Sequence, residues 1–394
     1  MKKYLVFLCV CSLLTACSEN NNHIDENNTD VTTVNTEIEE TSVNVEKNRL
    51  ELTDYINDNQ LGLSQIYCIS DIKILISSYN KGKYDIQTID TKSGDVSDVI
   101  TCDTEPVCSE NGFWVLRACD SGGMAVTNPI IGKYAAADMV LVYDYDFLKI
   151  SEIKLESDWQ IQGFDVDILG KNVYYSYNKM VESEEHHCLD KMSFSGDKEN
   201  IIDVLYSFDH DNWLSTMYDI KFTPEQFIYL GCISPLADGS KPTVDGYGTL
   251  KVGSITPDYT WRSDTYNNKI EKFNGGALIH DGGMPLGVAP SGCIEYFNNG
   301  QQSHIELQNK FETPNIYVSQ NGEYFTTLLK GKNEDETPIF RFTVYNKEGN
   351  VLKTEDCSFD SECTIPKVFM NEYTKSVYYE AVIDQETTWA DFSF

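Results

Sequence analysis

The side chains that could do chemistry in this chain are few and scattered. Of its twelve cysteines, nine lie beyond residue 17, an odd number that leaves at least one thiol unpaired in a monomer. The spacing of Cys102 and Cys108 recurs at Cys357 and Cys363. Either pair could form a disulfide in an oxidising setting, but no C-x-x-C pattern marks a redox or zinc site, and mostly free, buried thiols are expected. His186 and His187 follow Glu184 and Glu185, and His210 stands between Asp209 and Asp211. Adjacent histidines seldom share an ion without a third ligand, and no H-x-x-x-H or EF-hand spacing exists, so neither a metal nor a cofactor is expected. Arginine, the residue that grips a carboxylate bidentately, occurs only at positions 49, 117, 262 and 341, on distant segments. Acids are abundant, 62 in all, and a hydrolase of glycans needs only two of them at a suitable separation.

Stepping along the chain, the elements that must carry these residues are short strands. Residues 313–356 read as one complete unit of four strands, with turns at Gln320-Asn321-Gly322 and Asn346-Lys347-Glu348-Gly349. Asn-Gly favours a tight type I′ hairpin, because both positions take φ > 0. Four antiparallel strands in such a span match one β-propeller blade. The second strand of the unit recurs at residues 72–77, 113–117, 173–177, 227–230, 277–280, 323–329 and 377–382. The third strand of the fourth unit is read at 250–255, turning at Pro257-Asp258. No segment sustains a helical apolar period, so almost no helix is expected. The reading is an all-β, seven-bladed propeller over residues 49–394, with six or eight blades as the neighbouring solutions. The last unit lacks a fourth strand, and residues 49–53 offer a spare one. An N-terminal strand pairing into the last blade would close the ring and remove its open edges.

The hairpin from Tyr84 through Gly94 to Val96, and that from Val344 through Gly349 to Val351, resemble the repeat of the YVTN and quinoprotein-like propellers. The resemblance implies a fold and no activity. Propellers host glycosidases, sialidases and quinoproteins. The scattered arginines do not suit a sialidase, and the run from Thr256 to Trp261 only faintly resembles an Asp-box, occurring once and without its glycine spacing.

The first residues have another purpose. Lys2 and Lys3 precede an apolar run over residues 4–14, too short to span a bilayer but suited to a signal peptide core. Leu14-Thr15-Ala16-Cys17 then resembles a lipobox, the bacterial lipoprotein signal. That resemblance implies cleavage after residue 16, lipidation of Cys17, and a lipid-anchored domain outside the cytoplasm, in the cell envelope. Residues 17–48, rich in Asn, Thr and Glu and without aromatics, read as a flexible tether that cannot bury enough apolar area to order itself. The formal net charge is −32, and no local basic cluster offsets it. Such a field repels nucleic acid, which is excluded as a partner.

In a propeller the connections between second and third strands emerge on the same face as those between blades. Here they are the long ones, over residues 119–138, 178–187, 234–248 and 281–292. Long loops on a rigid frame are where binding residues concentrate. Trp213, Tyr134 and Tyr247 are expected as contacts for a sugar ring or a peptide, with His210, Asp120, Asp238 and Asp245 around them. The expected function is non-catalytic recognition or scaffolding for a protein or glycan ligand. The alternative is a cell-surface, glycan-active hydrolase using paired carboxylates.

Overall fold

The computed structural model describes residues 51–118, 124–128, 133–155, 160–205, 216–234, 244–255, 258–262, 268–281, 293–298, 300–306, 315–332, 336–359 and 361–394. Residues 1–48, expected from the sequence to hold a signal peptide, a lipidated Cys17 and a tether, lie outside the described residues. Within them the strands group into seven blades.

The one helix among the described residues, α1 (Leu52–Asp58), precedes blade one, which is β1 (Leu63–Cys68), β2 (Lys73–Asn80), β3 (Lys83–Asp90) and β4 (Ile100–Cys102). Blade two is β5 (Val107–Ser109), β6 (Gly112–Ala118), β7 (Met124–Asn128), β8 (Lys133–Tyr143) and β9 (Lys149–Lys154). Blade three is β10 (Gln160–Asp167), β11 (Asn172–Val181), β12 (Glu184–Ser193) and β13 (Lys198–Leu205). Blade four is β14 (Thr216–Thr223), β15 (Phe227–Ser234), β16 (Val244–Lys251) and β17 (Asp258–Arg262). Blade five is β18 (Asn268–Phe273), β19 (Gly276–Asp281), β20 (Cys293–Asn298) and β21 (Gln301–Glu306). Blade six is β22 (Asn315–Val318), β23 (Tyr324–Lys332), β24 (Pro338–Asn346) and β25 (Val351–Ser358). Blade seven has three strands, β26 (Cys363–Asn371), β27 (Ser376–Ile383) and β28 (Glu386–Ser393). Pairing within each blade is antiparallel; a single parallel contact, Ile161 to Val126, joins blades two and three into one sheet.

Seven apolar clusters hold the ring, one at each blade interface. Ile86 of blade one meets Phe113 of blade two; Trp114 meets Phe164; Tyr174 meets Phe222; Tyr229 meets Phe297. The circuit continues with Phe273 against Phe325 and Phe342 against Tyr379. It returns to its start where Tyr378 and Trp389 of blade seven pack with Ile66 and Ile76 of blade one. Several interfaces use paired rings, such as Tyr174 stacked on Phe222 at 5.0 Å and Trp114 tilted on Phe164 at 5.0 Å.

The closing element differs from the expected strand. Residues 52–58 form α1, with Leu52 and Ile56 buried at the i, i+4 spacing of one helical face. Both enter the blade seven–blade one cluster. The helix lies against β28 and covers its outer edge, where Asn57 bonds the backbone of Trp389. A helix here protects an open edge as a fourth strand would.

Two local readings also change. The turn of blade six is not type I′: Gly322 has φ +68° but Asn321 does not share the positive φ. Asn321 instead uses Oδ1 to accept from Glu323 N–H at 2.9 Å and from the Ser319 hydroxyl at 3.0 Å, an Asx turn. In blade four the third strand is β16, ending at Lys251, so most of the residues read as that strand belong to the turn after it.

Candidate functional site

The open inner edges of the first strands face the central channel, and their backbone groups need partners. Side chains from other blades supply them. Gln320, in the turn of blade six, reaches past blade seven to β1: its Oε1 accepts from Cys68 N–H at 2.7 Å, and its Nε2 donates to Ile66 C=O at 2.9 Å. Asp165 of β10, buried, accepts from Phe222 N–H on β14 at 2.8 Å and pairs with Lys272 of β18 at 3.0 Å. Lys367 of β26 donates to Leu63 C=O and sits 3.2 Å from Glu380. These ties bind the inner strands of different blades and make the ring a rigid frame.

On that frame, blade three carries the most developed polar group on the face of the long connections. The segment read as a loop over residues 178–187 is the end of a long hairpin. β11 and β12 pair without interruption from Asn172–Ser193 to Val181–Glu184, and turn through Glu182 and Ser183 at φ +49° and +72°. This is the two-residue turn geometry that matches strand twist. Met180 and Val181, at the tip, are 67% and 38% exposed.

Behind the tip, alternate residues of β11, β12 and β13 share one side of the blade. Asp203 accepts from Lys179 Nζ at 2.6 Å and lies 2.6 Å from His186 Nδ1. Burial opposes the Asp203 carboxylate, but the Lys179 and His186 hydrogen bonds together outweigh it and hold the carboxyl below its usual range. Cys188 sits directly opposite Asp203 and is fully buried. Deeper, Asp190 accepts from Tyr177 Oη at 3.0 Å and from Asn200 Nδ2 at 2.6 Å. His187, on the other side of β12, is buried.

Cysteine, histidine and aspartate together suggest a nucleophile and its base. The electrostatics do not support that chemistry. Burial, reinforced by the Asp203 charge, pushes the Cys188 thiol up to about 11, so it stays protonated at neutral pH. Asp203 is engaged by Lys179 as well as His186. The cluster is a neutralised polar support that fixes the hairpin.

The expected contact residues are placed as follows. Asp120, His210, Trp213 and Asp238 lie outside the described residues. The backbone of Tyr134 lies on β8, opposite Thr127, and the backbones of Asp245 and Tyr247 lie on β16, opposite Ile233 and Gly231. These three were expected in loops and stand on strands, because β8 and β16 begin earlier than their alanines and glycines indicate. Sequence reasoning singled out His186 but missed its partners Lys179 and Asp203; the cross-strand register that brings the three together is not visible until the hairpin length is known.

A further expectation concerns sulfur. Cys102, Cys108, Cys357 and Cys363 are free thiols. Each spaced pair shares one apolar cluster at a blade interface. Burial pushes the Cys102 thiol up to about 11. Among the described residues no three His, Cys, Asp or Glu side chains converge as ligands for a metal ion.

No known protein family and no curated protein matches the chain. Solved structures with a similar course exist. An uncharacterised protein from Listeria monocytogenes matches with a TM-score of 0.47 at 8% identity, over 83% of this chain and 93% of its own. A functionally unknown protein from Desulfotomaculum acetoxidans matches with a TM-score of 0.41 at 10% identity, over 79% of this chain and 89% of its own. An acylaminoacyl peptidase from Pyrococcus horikoshii matches with a TM-score of 0.41 at 8% identity, over 84% of this chain and 44% of its own.

Proposed function

We propose that this protein is a lipid-anchored propeller held outside the cytoplasm, acting as a non-catalytic recognition module for a protein partner. The observation that carries the reading is the blade-three hairpin: aliphatic Met180 and Val181 stand exposed at its tip, on the long-connection face, above a fixed polar support. An exposed apolar tip on a rigid frame favours binding, since little ordering entropy is lost when it docks. Aliphatic side chains suit a protein surface better than a sugar ring, which prefers aromatic faces. The thiol state of Cys188 speaks against a cysteine nucleophile in this cluster. The resemblance of Leu14-Thr15-Ala16-Cys17 to a lipobox supports an anchor at Cys17, and the −32 net charge fits a protein that keeps clear of nucleic acid and anionic lipid headgroups.

The test has two arms. Cys17→Ser should release the protein from the membrane fraction or leave its signal uncleaved; unchanged anchoring removes the lipoprotein reading. Met180→Asp with Val181→Asp should leave the melting temperature unchanged and abolish co-purification of the partner that the wild type brings down. Retention of that partner removes the hairpin from the interface.

A further inference from the structure

The tip of the blade-three hairpin carries charge as well as apolar surface. β11 and β12 stay paired to their last residues, with Val181 opposite Glu184 and Met180 opposite Glu185. Glu182 and Ser183 in the turn are exposed, as is Glu184. Neither the Glu182 nor the Glu184 carboxylate meets a basic side chain among the described residues. The hairpin does hold two basic residues close by, but both are turned back onto the blade. Lys179 Nζ and His186 Nδ1 each lie 2.6 Å from Asp203. They neutralise the support and leave the two glutamates at the tip uncompensated.

Shape, polarity and charge together narrow the partner. A hairpin tip projects, so the surface that receives it is concave. Met180 and Val181 point to opposite sides of the ribbon, and both are exposed, so an apolar concavity removes both from water. Glu182 and Glu184 border them, and carboxylates pressed against acidic or purely apolar surface would lose water without gaining a partner. The lip of the concavity is therefore cationic. A second copy of this chain does not qualify, because it brings the same acidic tip and the same −32 net charge.

Resting on the hairpin as the docking element, we infer that its tip enters an aliphatic cleft whose lip carries lysine or arginine, on a basic protein. Met180 and Val181 fill the cleft, and Glu182 and Glu184 pair with the lip. The apolar contact holds the complex, while the carboxylates set partner choice and the speed of encounter. Blade seven supplies an internal control. Its β27–β28 hairpin turns through Asp384 and Gln385 at φ +49° and +73°, the geometry of Glu182 and Ser183, and Ile383 stands opposite Glu386 as Val181 stands opposite Glu184. Asp384 and Glu386 are exposed, but Ile383 is partly buried in the cluster between blades six and seven. The acids are present there without the exposed aliphatic pair.

The probes are three short amphipathic peptides that share a leucine face and carry lysine, glutamine or glutamate on the other, each immobilised and titrated with the whole chain. At about 0.15 M salt, where diffuse attraction is screened, saturable binding is expected for the leucine–lysine peptide alone. Glu182→Gln with Glu184→Gln should weaken it about three- to tenfold, the loss of two exposed ion pairs. Asp384→Asn with Glu386→Gln, the same change in net charge, should leave it unchanged. Met180→Asp with Val181→Asp should abolish it. Equal binding of all three peptides, still abolished by Met180→Asp with Val181→Asp, would overturn the cationic lip and leave the hairpin's docking role standing. Equal weakening by the two neutralised pairs would assign the attraction to the general field of the protein and overturn it as well. No saturable binding of the lysine peptide overturns the inference, and binding that survives Met180→Asp with Val181→Asp removes the hairpin itself. Co-sedimentation with phosphatidylcholine vesicles, lost in that same variant, would assign the tip to a bilayer and overturn the protein partner.

Discussion

Asn57 and Trp389, 332 positions apart in the chain, meet as one strand meets another. The Asn57 Oδ1 accepts from Trp389 N–H at 2.9 Å, and its Nδ2 donates to Trp389 C=O at 3.0 Å. One carboxamide thereby reproduces the paired bonds of a β-ladder on the outer edge of β28. Gln320 does the same for the inner edge of β1, through Ile66 and Cys68. The two amides flank the seam where the last blade meets the first.

Asn57→Ala should therefore lower stability by about 1–3 kcal/mol, two hydrogen bonds on a part-buried edge. Asn57→Asp, which keeps the acceptor but sets a carboxylate against the Trp389 carbonyl, should be no better. Denaturant unfolding with an unchanged m-value checks both.

Gln320→Ala leaves Cys68 N–H and Ile66 C=O unpaired at the channel. A loss of about 1–3 kcal/mol is expected, with amide exchange at Cys68 accelerated ahead of the rest of β1. Hydrogen exchange that changes no more at Cys68 than elsewhere would assign Gln320 no such part.

Much of this frame is legible in the sequence, and the reasons it is not all legible are physical. Second strands such as β6 and β23 announce themselves because a turn signal precedes a run of apolar residues, as at Asn111-Gly112. The strand expected at residues 49–53 fails because Leu50 and Leu52 satisfy a two-residue alternation, while Leu52 and Ile56 equally satisfy a helical face; packing on β28 decides between them. The tie between Gln320 and Cys68 is invisible because the two residues come together only when the ring closes. Each is unremarkable in its own turn or strand.

Two glycines in left-handed conformation separate strain from crowding. Gly322, at φ +68°, would place a Cβ 2.5 Å from Asn274 N, whereas Gly82, at φ +89°, would meet nothing within 4 Å. Gly82→Ala should cost about 1–2 kcal/mol, the left-handed backbone alone. Gly322→Ala should cost clearly more, since the turns of blades five and six touch there through Asn274 N–H and Gly322 C=O. Equal melting temperatures for the two variants would contradict the turn-on-turn packing.

The Glu372 carboxyl gives stability a definite pH dependence. Its folded pKa is raised by burial, so its neutral form is favoured in the fold. The associated stability is fully present below the unfolded value of about 4.3 and is lost as pH rises through the folded value. Glu372→Gln should match wild type near pH 4 and be the more stable of the two at neutral pH. Paired melts across that range decide it.

The account stands most directly on which face of the ring a partner meets. A photo-crosslinking residue placed at Met180, on the tip of the blade-three hairpin, and another at Leu169, exposed on the short-turn face, should be compared in the whole chain expressed in cells. The account predicts a discrete crosslinked partner from position 180 and none from position 169. Crosslinking from 169 alone would place the interface on the wrong side of the propeller and contradict it.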